Sequence, residues 1–281
     1  MKKVVLSLCC WIFLSAPVVA AQDLASHRAV YDIALASTKG GAAAVVNARG
    51  KMSYSIQKVC GQWRTESVFS LDIGYEMAGL DTTNWKQTTR ESADGCLFEF
   101  DVFVREKGQD RKDLSGKAVC SDGKKTLDLT VPIRSRAVLP GNVVFPVQQN
   151  LRLLEAARTG QKSISAYVYD GTRPDALFSM NTVISSPKDF RSSDVKGDAD
   201  LLRDKKVYRF DSAFFEEFPS NGHQDGRPLY EVSLHSYENG ISDRIEQDFG
   251  TYRLRSTLTE IKRLPEIPCS SKKKRRALTT R

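Results

Sequence analysis

The chain is 281 residues long, 41% hydrophobic and 27% charged, with a formal net charge of +8. That balance belongs to an ordinary folded protein and excludes a disordered or collagen-like one. The positive excess sits at the ends: without Lys2, Lys3 and the six cations after Cys269, 34 basic residues face 34 acidic ones. A neutral body argues against a nucleic-acid-binding face.

Lys2 and Lys3, the apolar run 4–13, Pro17 and the small residues Ala20 and Ala21 read as a signal peptide over 1–21, cut after Ala21. The run is about half of the roughly 20 apolar residues a spanning helix needs. Leu8 before Cys9 departs from the lipoprotein pattern. The expected product is a periplasmic chain with one β-rich domain over 22–269 and a basic, disordered tail over 270–281.

Strands follow in order. The segment HRAVYDIALA at 27–36 puts Ala29, Tyr31, Ile33 and Leu35 on one face, and 51–58, 62–73, 97–104, 111–119, 126–131, 163–169 and 177–184 read the same way. Segments 229–237 and 241–249 flank Asn239-Gly240, a strong hairpin signal, and 252–264 makes a last strand. Short turns between many strands imply a mainly β protein: a large antiparallel sheet, curled or closed to protect its edges.

One segment is helical. Pro146 suits a first turn, Val147, Leu151, Leu154 and Arg158 recur at helical spacing, and Gly160 marks the end. In a β protein so apolar a helix must lie on the sheet's concave face, either as a core plug or as the lining of a groove through Val147, Leu151 and Leu154. The charged stretch 189–206 reads as a long exposed loop.

Four cysteines remain after the leader: Cys60, Cys96, Cys120 and Cys269. In an exported protein an even count implies disulfides, with three possible pairings. A hairpin centred on Gly108 pairs positions whose numbers sum to 216, which sets Cys96 opposite Cys120, within reach of a bond. Cys60 and Cys269 are then left to join. Closing these loops stabilises by about 3.5 and about 5 kcal/mol in the chain-entropy model.

Catalytic signatures are missing. His27, His223 and His235 form no HExxH pair, the cysteines lack CxxC spacing, and GxSxG, GxxxxGK[ST] and GxGxxG do not occur, so no metal or cofactor is expected. SxxK occurs at Ser55, Ser121, Ser185 and Ser193 without its KTG companion. Glu216 and Glu217 are adjacent, so on a strand they face opposite sides and cannot act on one substrate. They read as a solvated loop flank.

Several elements together resemble the EipB family of periplasmic envelope-integrity proteins: His27-x-Ala29-x-Tyr31, Cys60-Gly61-x-Trp63, LPGNVVFP at 139–146 running into LLEAARTG, Asn239-Gly240, DFGTYRL from Asp248, and the closing LPEIPC. The resemblance implies a spiral-like, strongly twisted antiparallel sheet around a helix. It also implies a disulfide from Cys60 to Cys269, no catalytic activity, and a periplasmic tetratricopeptide-repeat protein as partner. The second cysteine pair, the basic tail and Gln149, where the family pattern has histidine, depart from it.

The expected function is therefore non-catalytic support of the cell envelope through protein binding. The alternative is a carrier or sensor holding a lipid, lipoprotein acyl chain or peptide in the concavity. A glycan hydrolase is the least favoured reading. Lys272, Lys273, Lys274, Arg275 and Arg276 of the tail are suited to an anionic envelope surface.

Overall fold

The computed structural model describes residues 24–40, 44–106, 109–217 and 226–269, with backbone alone at 106 and 109–113. The expected leader, the basic tail with Lys272, Lys273, Lys274, Arg275 and Arg276, and His223 lie outside the described residues.

Eight strands open the chain as a meander: β1 (His27–Thr38), β2 (Val45–Val59), β3 (Gln62–Tyr75), β4 (Gly79–Ser92), β5 (Leu97–Glu106), β6 (Gln109–Ser121), β7 (Lys124–Val131) and β8 (Ser135–Leu139). Helix α1 (Pro146–Arg158) comes next. The second half holds β9 (Ser163–Tyr169), β10 (Leu177–Ser185), the two-residue β11 (Lys196–Gly197), a 3-10 turn (Ala199–Leu201), β12 (Val207–Glu216), β13 (Tyr230–Tyr237), β14 (Ser242–Asp248) and β15 (Tyr252–Arg263).

All the strands join one sheet. From β8 the order runs back to β1, crosses to β15, and continues through β14, β13, β12 and β10 to β9. Neighbours along this path are antiparallel, and β11 adds a short parallel pairing on β15. The first and last strands thus meet mid-sheet, with His27 opposite Arg263 and Thr38 opposite Tyr252. The sheet does not close: β8 and β9 end it.

A sheet this wide must curl, because each strand adds right-handed twist. The curl brings the two arms together around α1. Phe98 and Phe100 of β5 contact Tyr169 of β9 at ring distances of 6.4 and 5.8 Å, and Phe98 stacks on Phe145 at 4.7 Å. These rings share one core with Leu127 of β7, Phe178 of β10, Phe210 of β12 and Leu154 of the helix. Val144, just ahead of α1, bridges to Val168, donating to the Tyr167 carbonyl and accepting from the Tyr169 amide. The expected twisted sheet, with a single α-helix among the described residues packed in its curl, is what the chain forms.

Besides the two-residue β11, three strands fall outside the segments expected from the sequence. β4, GLDTTNWKQTTRES, is polar on both faces, yet β3 and β5 satisfy its backbone on both sides. Cross-strand pairs support it: Thr65 with Thr89 at 2.7 Å, Lys86 with Glu66 at 2.7 Å, and Arg90 with Glu99. β8 is a short exposed edge, and β12 alternates cleanly between Tyr208, Phe210, Phe214 inside and Arg209, Asp211 outside.

The stretch 189–206 is largely exposed, as expected, but it is not a free loop. Leu201 and Leu202 are buried against Tyr31, Tyr237 and Ile261, and Asn239 donates its amide to the Leu201 carbonyl at 2.9 Å. Two leucines and a short strand anchor the segment in spite of its charge. Glu216 is likewise no loop residue: it ends β12 and binds Arg173 at 2.6 Å.

Candidate functional site

The helix start is built from the sheet. Phe145, at the N-cap position, supplies no side-chain hydrogen bond. Glu91, from the end of β4 and fully buried, accepts the Val147 amide on Oε2 at 2.9 Å and the Gln148 amide on Oε1 at 2.8 Å. Pro146 has no N–H, so two of the three amides this helix start leaves open are thereby satisfied by a carboxylate at the positive end of the dipole. Burial nevertheless dominates and pushes the Glu91 carboxyl up to about 7, against the opposing pull of those amides and of Lys125. Lys125 donates to the Val143 carbonyl at 2.7 Å and lies 4.7 Å over the Phe145 ring.

Of the three helix residues suited to a groove, Val147 and Leu154 are buried in the main core, whereas Leu151 is half-buried at its border. Leu153 and Ala156 complete the covered face. Gln149 donates to the Met180 sulfur at 2.8 Å. The covered face packs as a plug.

Two disulfides join Cys60 to Cys269 and Cys96 to Cys120, with Cα separations of 4.5 and 4.9 Å. The first follows β2 and clamps the segment after β15, where Cys60 also donates to the Ile267 carbonyl and Ile267 to that of Lys58. The second closes the β5–β6 hairpin. Pairs near the cysteines sum to 216, as in Leu97 with Val119, but beyond an extra residue at Asp113 they sum to 215, as in Glu106 with Gln109. The turn centre expected at Gly108 is thus off by half a residue, and the bulge restores the register that sets the cysteines opposite.

The opposite face of β9–β14 carries a polar trough that the sequence reading missed. On β10 and β12 the residues between the core positions point outward: Asn181, Val183, Arg209, Asp211 and Ala213. Strand register arranges them in rows. One row runs Arg209, His235, Arg244; the next runs Ser163, Val183, Asp211, Ser233, Glu246, Arg255. The trough measures about 570 Å³ over the serine-rich end and about 390 Å³ at the arginine end, where Phe190 and Arg191 form the rim.

Charge is unevenly committed there. Asp211 binds Arg209 through both oxygens and accepts from Ser233, and Glu246 binds Arg255 at 2.8 Å. Among the described residues no carboxylate lies within ion-pair distance of Arg191 or Arg244. Phe190 stacks on His235 at 4.8 Å. Burial, with Arg209 and Arg244 beside it, holds the His235 ring below its ordinary pKa, so it is neutral at pH 7.

The serines of the SxxK matches sit apart from any shared site. Ser55 and Lys58 lie three apart on β2 and so face opposite sides. Ser193 instead ties down the 189–206 segment, its amide and hydroxyl both on buried Asp243.

A spirally curled, open antiparallel sheet wound on a helix and held by two disulfides defines the class. The chain belongs to the EipB-like family, whose model matches residues 18–265. It is 26% identical over 254 residues to the cell envelope integrity protein EipB of Brucella abortus (strain 2308), covering 88% of this chain and 87% of that one. In fold it is similar to the crystal structure of a beta-barrel-like protein from Brucella abortus, with a TM-score of 0.75 and 24% identity over 87% of this chain and 100% of the other.

Proposed function

We propose that this protein supports cell-envelope integrity from the periplasm without catalysis, as a rigid β scaffold that holds a protein partner. The observation that carries the reading is family membership over nearly the whole length, together with a relative named for envelope integrity. The two staples and the sheet-built helix start favour a rigid surface over a chemical machine. The terminal strand β8, mostly exposed, offers an edge to which an extended partner segment can add. The packing of Val147 and Leu154 in the core supports a scaffold over a lipid carrier, because the face a lipid would need is already covered.

The test is deletion of the gene in its native host, with sensitivity to detergents and cell-wall antibiotics as readout, and crosslinking from intact periplasm to identify the partner. Increased sensitivity restored by the native gene, with a tetratricopeptide-repeat protein among the crosslinked species, is expected. Unchanged sensitivity would remove the reading.

A further inference from the structure

We propose that the outer trough of β9–β14 binds an acidic saccharide, its oxyanion at the arginine end and its hydroxyls along the serine and asparagine end. Four observations converge on this. The trough volumes, about 570 and 390 Å³, fall within the roughly 300–1,000 Å³ of small-molecule sites. The acids at its floor are spent on partners of their own, Asp211 on Arg209 and Glu246 on Arg255, while among the described residues Arg191 and Arg244 have none; Asp189 on the same rim is the acid an incoming anion must compete with. A guanidinium with free N–H groups is the side chain suited to bidentate oxyanion capture.

Row geometry supplies the third. Arg209, His235 and Arg244 stand directly opposite one another on β12, β13 and β14, so the oxyanion meets the open Arg244 guanidinium beside a ring held flat by Phe190, with Arg209, already bound by Asp211, on the ring's other side. A neutral ring between two arginines adds a hydrogen-bonding atom without repelling them.

The fourth is the lining of the other end. Ser163, Ser165, Asn181 and Ser233 bring hydroxyl and amide groups to one surface, and Ser165 donates to the Asn181 carbonyl oxygen at 2.6 Å, which leaves the amide nitrogen of Asn181 to donate outward. Val183, 58% exposed, offers an apolar contact of the size of a sugar face. The charged side chains of Asp211, Glu231, Arg244 and Glu246 along the lining do not suit an acyl chain, and the interleaved acids do not suit a polyphosphate backbone.

The experiment is calorimetric titration of the full-length oxidised protein with 3′-sialyllactose, which carries one carboxylate at one end of a neutral saccharide, and with maltotriose, inorganic phosphate and a tetraglutamate peptide. 3′-Sialyllactose is expected to bind at least ten-fold more tightly than each of the others, and to weaken with added salt. Arg244→Gln is expected to weaken it about ten-fold and Asn181→Ala several-fold, with melting temperatures unchanged; Arg244→Lys, which keeps the charge and loses the fork, falls between. Equal binding of maltotriose, phosphate or tetraglutamate overturns the inference, as does no effect of Arg244→Gln in a variant that melts normally. An envelope defect in the deletion strain, fully restored by Arg244→Gln, would leave the scaffold function standing whatever the titration gives.

Discussion

Glu91 accepts the Val147 amide at 2.9 Å across 56 positions of sequence, and so the helix is capped by the sheet it packs on. Helix and sheet are coupled through one buried carboxylate. Glu91→Gln replaces one acceptor oxygen by an amide group that faces a donor, and should cost about 1–3 kcal/mol. Urea unfolding at pH 8 measures it.

The same residue sets a pH dependence. Its carboxyl titrates at about 7 in the fold, against 4.5 when free. Below 4.5 both states are protonated and the difference vanishes. As pH rises from 4.5 to 7 the unfolded chain ionises first, so stability should fall, by about 3 kcal/mol at most, and level off above 7. Buried His27 works the other way: burial lowers its pKa, so its contribution is complete above 6.5 and is lost as pH falls. Unfolding free energies at half-unit steps should therefore show a downward slope that Glu91→Gln abolishes and His27→Gln steepens.

The two staples should differ in worth. Cys60 and Cys269 enclose a separation of 209 residues, Cys96 and Cys120 one of 24. Loop entropy predicts losses near 5 and 3.5 kcal/mol for the respective double serine variants. Comparing their urea midpoints checks the order; a reversal would mean the chain ends stay close in the unfolded state.

The plug makes a prediction at the helix. Leu154→Ala empties a fully covered site and should cost about 2–5 kcal/mol, whereas Leu151→Ala, at the border, should cost clearly less. Equal costs in thermal unfolding would place Leu151 in the same core.

Close packing decides Gly116. A Cβ there would stand 2.6 Å from Cζ of Phe100 and 3.1 Å from the Asp128 carbonyl oxygen. Gly116→Ala should cost about 1–3 kcal/mol, and Phe100→Leu should recover part of it in a double-mutant cycle.

Much of this was legible in the chain. Period-two alternation located β1 and β10, since one face of each is buried and the other wet. Pro146 and Gly160 bracketed the helix, because fixed φ suits a first turn and a positive φ of 79° suits an end. β12 carried the same alternation, and attention to Tyr208, Phe210 and Phe214 would have exposed the arginine row on its other face.

Other features were beyond reach of local pattern. Nothing in TTRESADG distinguishes Glu91 from a surface acid, and nothing in β4 announces a strand, because both owe their state to partners far along the chain. Backbone propensity and hydrophobic period are local, so the sequence by itself determined a β-rich, disulfide-bonded chain with one helix and the pairing of Cys96 with Cys120. Only the tertiary structure decided which carboxylate closes the helix and which arginines stand in a row. Those relations follow from strand register and sheet curl, which exist only once distant segments pair.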